Sequence, residues 1–171
     1  FIDSVIERFS LGYSPSNRSA FSKAAIQKGY KSDIVVESGL SVDRNGNYYD
    51  RFADRVMFPI QSITGQVIGF GGRTMQKEKN IAKYLNSPET LLYNKSRVLY
   101  GMYQARKSIS KNDKCFLVEG YTDVLSMHQS GIENVVASSG TSLTVEQIRL
   151  IKRFTPNLTV LYDGDAAGIR R

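Results

Sequence analysis

Apolar positions change their spacing twice along this chain. From Phe1 to Tyr30 they fall at helical intervals, first Phe1, Ile2, Val5, Ile6 and Phe9, then a run from Phe21 to Ile26. A 3.6-residue repeat brings such positions onto one face, so two short helices are expected. Gly12-Tyr13-Ser14-Pro15 separates them, because proline lacks the N–H that a helix interior requires. The pair has the outline of a helix-turn-helix, but no polar recognition face is identifiable, and the helices read as packing elements. From about Tyr48 the spacing becomes strand-like. Val56-Met57-Phe58-Pro59-Ile60, a Thr64-Gly65 turn and Val67-Ile68-Gly69-Phe70 predict a hairpin. Gly71 and Gly72 then lead into the polar stretch Thr74 to Asn80, with no helix start behind them. They read as backbone flexibility beside Arg73, not as a phosphate cradle.

After Lys111 short apolar runs alternate with helical periods. Strands are expected at Cys115–Val118, Asn134–Ala137 and Leu158–Tyr162. The helices between them run from Thr122 to Ser130, ended by Gly131, and from Thr144 to Phe154, with Thr144 as N-cap. Strand, helix, strand, helix, strand at this spacing predicts a parallel sheet with right-handed crossovers. The expected fold is α/β: a mixed α+β basic subdomain over residues 1–108, then a Rossmann-like parallel-sheet module over 109–171 that is truncated on its C-terminal side.

Composition narrows the class. With 171 residues, 41% apolar and 11% aromatic, the chain can bury a core without staples. Its single cysteine, Cys115, cannot form an internal disulfide, and no long apolar run or signal-peptide pattern occurs, which points to a reducing, cytoplasmic setting. The sequence opens without Met and stops at Ile169-Arg170-Arg171 as a helix begins, so a fragment of a longer chain is expected. The net charge of +7 is uneven: residues 1–110 carry 16 Lys/Arg against 9 Asp/Glu, residues 111–171 carry 7 against 7, and Arg73 to Lys107 alone carries 8 against 2. Such a tract suits a polyanion through counterion release, and a solvated basic face explains it equally well.

In parallel sheets the working residues lie beyond the carboxyl ends of the strands. That rule selects Glu119, with Asp123 shortly after it, behind the first strand, and Asp163 and Asp165 behind the third. Each piece has a structural explanation, since Asp-Gly-Asp is a common turn and Glu119 could cap a helix. Their joint placement favours a site. Carboxylates crowded together repel unless a cation joins them, and an all-oxygen set suits Mg²⁺ or Mn²⁺ over zinc. Gly120 and Gly164 leave room for a phosphate to approach. His128, alone and mid-helix, and Cys115, within an apolar strand, read as core or surface positions. The run Ser138-Ser139-Gly140-Thr141-Ser142 reads either as a phosphate contact or as a capping loop.

Glu119-Gly120-Tyr121-Thr122-Asp123-Val124 and Asp163-Gly164-Asp165 resemble the signature of the TOPRIM fold, shared by bacterial primases, type IA and II topoisomerases, certain nucleases and recombination mediators. Four further stretches, in the same order, resemble the bacterial replicative DNA primase core: Arg55 to Ile60, Gly69 to Arg73, Lys83 to Thr90 and Leu99-Tyr100-Gly101, joined by Ala137 to Ser142. The resemblance implies nucleotidyl transfer that builds short RNA primers from ribonucleoside triphosphates on single-stranded DNA. It implies that Arg55, Arg73, Lys83, Tyr84, Asn86 and Lys95 line the template and nucleotide groove. It further implies that Glu119, Asp123, Asp163 and Asp165 bind Mg²⁺ or Mn²⁺, with Glu119, Asp163 and Asp165 catalytic. Ala53 stands where many primases carry another arginine. Zinc is expected only in an upstream domain, a replicative helicase is the expected partner of a C-terminal domain, and a third acidic motif is expected after Arg171. The rival readings are a TOPRIM nuclease or topoisomerase and a non-catalytic nucleic-acid clamp.

Overall fold

The computed structural model describes residues 1–76, 80–138, 140 and 142–164. In chain order its elements are α1 (Asp3–Arg8), β1 (Gly12–Ser14), α2 (Ala20–Gln27), α3 (Ser32–Glu37), β2 (Ser41–Arg44), β3 (Asn47–Asp50), β4 (Arg55–Gln61), β5 (Val67–Thr74) and β6 (Tyr84–Asn86). A 3₁₀ turn (Lys95–Arg97), α4 (Met102–Asn112), β7 (Cys115–Val118), α5 (Tyr121–Gln129), β8 (Val135–Ala137), α6 (Val145–Lys152) and β9 (Leu158–Val160) complete them. They form two compact units that interleave in sequence: Leu11–Pro59 with Ile68–Tyr93, and Phe1–Ser10 with Ile60–Val67 and Asn94–Arg171. Asn94 onward joins the second of these because Tyr100 and Ala137 exchange backbone hydrogen bonds of 2.9 and 3.0 Å.

The first unit is built on a sheet of order β1-β4-β5-β6. The segment expected only to break two helices is a strand, β1, antiparallel to β4 with Tyr13 opposite Val56. The expected hairpin is present as β4 and β5. Its turn closes through Ser62 N–H to the Gln66 carbonyl at 2.8 Å, with Gly65 at a φ of +94° that its position requires. Gly71 and Gly72 are not a flexible loop: both lie inside β5 and are buried. A Cβ at Gly72 would come within 2.6 Å of the Phe52 ring and 3.1 Å of Arg55 Cδ, so glycine is needed there for close packing. Asp50 fixes α2 to β3, accepting from the N–H groups of Phe21 and Ser22 at 2.7 and 2.9 Å and from Ser22 Oγ at 2.6 Å. Its charge meets the unpaired amides of a helix start.

The second unit carries the parallel sheet, of order β8-β7-β9. β7 pairs in parallel with both neighbours, Leu117 standing opposite Val136 on one side and Val160 on the other. Leu99, Met102, Ala105, Ile109, Cys115, Leu117, Val136 and Ile151 form a buried cluster that joins α4 and α6 to the sheet. Burial pushes the Cys115 thiol up to about 12, which keeps it an inert core group. His128 is buried too, with the Phe9 ring edge-on at 4.8 Å. Burial, helped by the nearby Arg8 charge and opposed by Glu133, pulls its pKa down to about 4. Arg8 and Glu133 are ion-paired.

Candidate active site

Parallel pairing brings the ends of β7 and β9 side by side, and Leu161 N–H extends the ladder to the Leu117 carbonyl at 2.8 Å. Glu119 follows β7 directly. Its Oε1 accepts a hydrogen bond from the backbone N–H of Asp163 at 3.1 Å, so one acidic residue holds the turn that presents the other. Gly120, in extended backbone, is the N-cap of α5, and its N–H donates to Asp123 Oδ2 at 2.9 Å. A Cβ on Gly120 would stand 3.3 Å from that oxygen. The three acidic residues therefore stand at one sheet end in different ways: the Glu119 carboxylate is bonded to the backbone of Asp163, and that of Asp123 is turned to its own helix start. Among the described residues no three His, Cys, Asp or Glu side chains gather as a metal-holding group. Asp165 lies outside the described residues, as do Ser139 and Thr141. A donor set made only of carboxylate oxygens fits a hard divalent cation.

The basic residues of the sheet unit divide between two faces. Arg73 and Tyr84 are directly opposed across β5 and β6, with the guanidinium 5.7 Å from the ring centroid. Asn86, opposite Gly71, lies on the same face by alternation. Lys83 is exposed just before β6. Arg55 behaves differently: it is 6% exposed, and its Nη1 donates to the carbonyls of Gly72, Ala82 and Lys83 at 3.2, 2.9 and 3.4 Å. Burial lowers its pKa, opposed by the charge of Asp54. This arginine ties down the backbone that leads into β6. Lys95 belongs to the other unit, in the 3₁₀ turn.

Arg55 also borders a cleft of about 520 Å³ whose lining includes Arg18, Arg44, Arg51, Tyr49 and Ala53. Arg44 lies 5.8 Å from the Tyr49 ring centroid. Asp54 at the same cleft accepts from the Tyr13 hydroxyl and the Gln76 amide. With Asp50 held by α2 and Asp54 by these donors, the four arginines outweigh the acids they meet. Sequence reasoning missed Arg18, Arg44 and Arg51. The signal for two of them was Asn45-Gly46, a residue pair suited to the positive φ of a tight hairpin turn, which here has φ values of 54° and 82° between β2 and β3.

The chain matches the family model of the DNA primase catalytic core, N-terminal domain, over residues 1–106, and a Toprim-like model over residues 116–171. It is 44% identical to the DNA primase of Synechococcus elongatus over 173 residues, covering 98% of this chain and 25% of that protein. The RNA polymerase domain of Mycobacterium tuberculosis primase DnaG superposes with a TM-score of 0.90 at 36% identity, over 98% of this chain and 57% of that one. A DnaG primase catalytic domain bound to ssDNA gives a TM-score of 0.87 at 41% identity, over 98% of this chain and 52% of that one. The chain thus spans about a quarter of the length of the curated relative.

Proposed function

Because this chain belongs to the bacterial DNA primase family, we propose that it forms part of the site where ribonucleoside triphosphates are joined into short RNA primers on single-stranded DNA. The observation that carries this reading is the Glu119–Asp163 link at the shared end of two parallel strands. A primer 3′-hydroxyl would attack the α-phosphate, forming a new P–O bond and releasing pyrophosphate. Glu119, Asp123, Asp163 and Asp165 would hold Mg²⁺ or Mn²⁺, which when bound neutralises phosphate charge and lowers the pKa of the attacking hydroxyl. Glu119 would serve in proton transfer as well as in metal binding.

On the basic side, Arg73, Lys83, Tyr84, Asn86 and Lys95 would contact template and nucleotide phosphates. Arg18, Arg44 and Arg51 add a cleft for the strand, with Tyr49 available to stack on a base. Ala53 removes one phosphate contact from that cleft. The setting is the bacterial cytoplasm, and a replicative helicase would be met by parts of the protein outside this chain. Among the described residues no helix is long and apolar enough to cross a membrane. The reading is tested with the full-length protein by measuring labelled ribonucleotide incorporation on single-stranded DNA with Mg²⁺ or Mn²⁺. Cleavage of plasmid DNA without incorporation would instead favour the nuclease or topoisomerase reading.

A further inference from the structure

The 3₁₀ turn that carries Lys95 is gripped by the first turn of α6. Gln147 is fully buried, and its Nε2 donates to the carbonyls of Lys95 and Val98 at 3.0 and 2.9 Å. Its Oε1 accepts the Thr144 N–H at 3.1 Å, and its own N–H donates to Thr144 Oγ1 at 3.1 Å. Thr144 Oγ1 in turn donates to the Ser96 carbonyl at 2.5 Å. Three carbonyls of one short segment are thus captured by two side chains of a helix cap. A capping box by itself needs only the two reciprocal bonds between Thr144 and Gln147. The three bonds to residues 95, 96 and 98 are surplus to capping, and they come from residues about fifty positions away in sequence.

We propose that Gln147 and Thr144 are positioning residues for Lys95: they fix its backbone so that its ammonium meets the nucleotide phosphates in one place. This rests on the reading above that Lys95 contacts substrate. A lysine side chain has four rotatable carbons and no fixed geometry of its own, so its placement depends on how firmly its Cα is held. Displacement of a substrate-contacting group by about 1 Å is enough to cost roughly a hundredfold in rate. Gln147 uses every donor and acceptor of its amide in this arrangement, so glutamate, of nearly the same shape, keeps the cap to Thr144 and sets an oxygen against the two carbonyls.

The test uses the full-length protein and primer synthesis with a varied ribonucleoside triphosphate. Gln147→Glu is expected to lower kcat/KM for the nucleotide about tenfold, with template affinity unchanged. In a Lys95→Ala background the same change is expected to have no further effect, since the group it positions is gone. Thr144→Val should behave like Gln147→Glu, and Thr144→Ser, which retains the hydroxyl, should restore kcat/KM to near the parent value. A merely structural role gives equal losses with and without Lys95, in step with falling thermal stability, and overturns the proposal. So does unchanged kcat/KM in Gln147→Glu and Thr144→Val. If Lys95→Ala alone leaves synthesis intact, the assignment of Lys95 to substrate falls, and the positioning role falls with it. Should Gln147→Glu not fold, the Thr144 pair decides by the same criteria.

Discussion

The Glu119 carboxylate accepts the backbone N–H of Asp163 at 3.1 Å, so the end of β7 determines where the turn after β9 begins. Loss of negative charge and loss of this bond are separable, because an amide oxygen still accepts. Glu119→Gln is expected to keep the turn and the thermal midpoint while reducing primer synthesis by the full-length protein at least about a hundredfold, the scale of lost charge stabilisation in a transition state. Glu119→Ala should lose synthesis and also lower the midpoint. Near-parent activity in Glu119→Gln would remove this carboxylate from the chemistry.

Arg55 and Arg73 should separate when each is replaced. Arg55→Met takes the guanidinium donor away from the carbonyls of Gly72, Ala82 and Lys83 and is expected to cost about 2 kcal/mol or more in urea unfolding. Arg73→Ala leaves no carbonyl without a donor in that way. It should alter stability little, weaken single-stranded DNA binding across sequences and flatten the salt dependence by about one unit. Lys83→Ala should resemble Arg73→Ala. Equal stability losses for Arg55 and Arg73 would refute the distinction.

Gly72→Ala adds a methyl group where the Phe52 ring lies 2.6 Å away. Overpacking of this kind costs about 1 to 3 kcal/mol, and Phe52→Leu in the same chain should recover part of the loss. If the alanine variant melts with the parent, the glycine is there for another reason.

His128 gives a pH dependence of defined sign. Its folded pKa lies near 4, below its ordinary 6.5, so the folded state holds the neutral ring and the unfolded state takes up the proton first. The stability it contributes is complete above about pH 6.5 and is lost as pH falls toward 4. Among the described residues neither ring nitrogen has a hydrogen-bond partner, so His128→Leu sacrifices none. The difference in stability between parent and His128→Leu, followed by denaturant unfolding from pH 7 to 4, should shift steadily in favour of the leucine variant. A constant difference would show that the ring does not titrate in this range.

The parallel half of the fold was readable because each strand is a short apolar run and α6 carries its own signal, Thr144 three residues before Gln147. The elements not anticipated, among them β1, α3, the β2–β3 hairpin, β6 and α4, have weaker signals. In α4 the buried residues Met102, Ala105 and Ile109 keep a helical spacing, but Arg106, Lys107 and Lys111 dilute it. The buried residues of the hairpin, Ser41 and Asp50, are polar, so its strands lack an apolar face, and only Asn45-Gly46 marks it. At the candidate site, the position of Glu119 and Asp163 just beyond β7 and β9 followed from the strand pattern. The burial of Arg55 was not, because its acceptors are backbone carbonyls 17 and 27 residues away, and every residue type offers the same carbonyl. The opposite facing of Arg55 and Arg73 depends on register and is equally silent in composition.

The strand order β8-β7-β9 means that the chain enters the parallel sheet in its middle. From there it steps to one side through α5 and must then pass back across β7 through α6 to reach the other. The loop after β7 therefore leads toward β8, while β9 lies on the opposite side of β7, and in parallel sheets ligands are met beyond such carboxyl ends. Loops beyond these strand ends can vary in length and composition without disturbing strand pairing, while Glu119 stays anchored to the central strand of the three. The framework thus holds Glu119 against the backbone of Asp163 while the loops around them are free to differ.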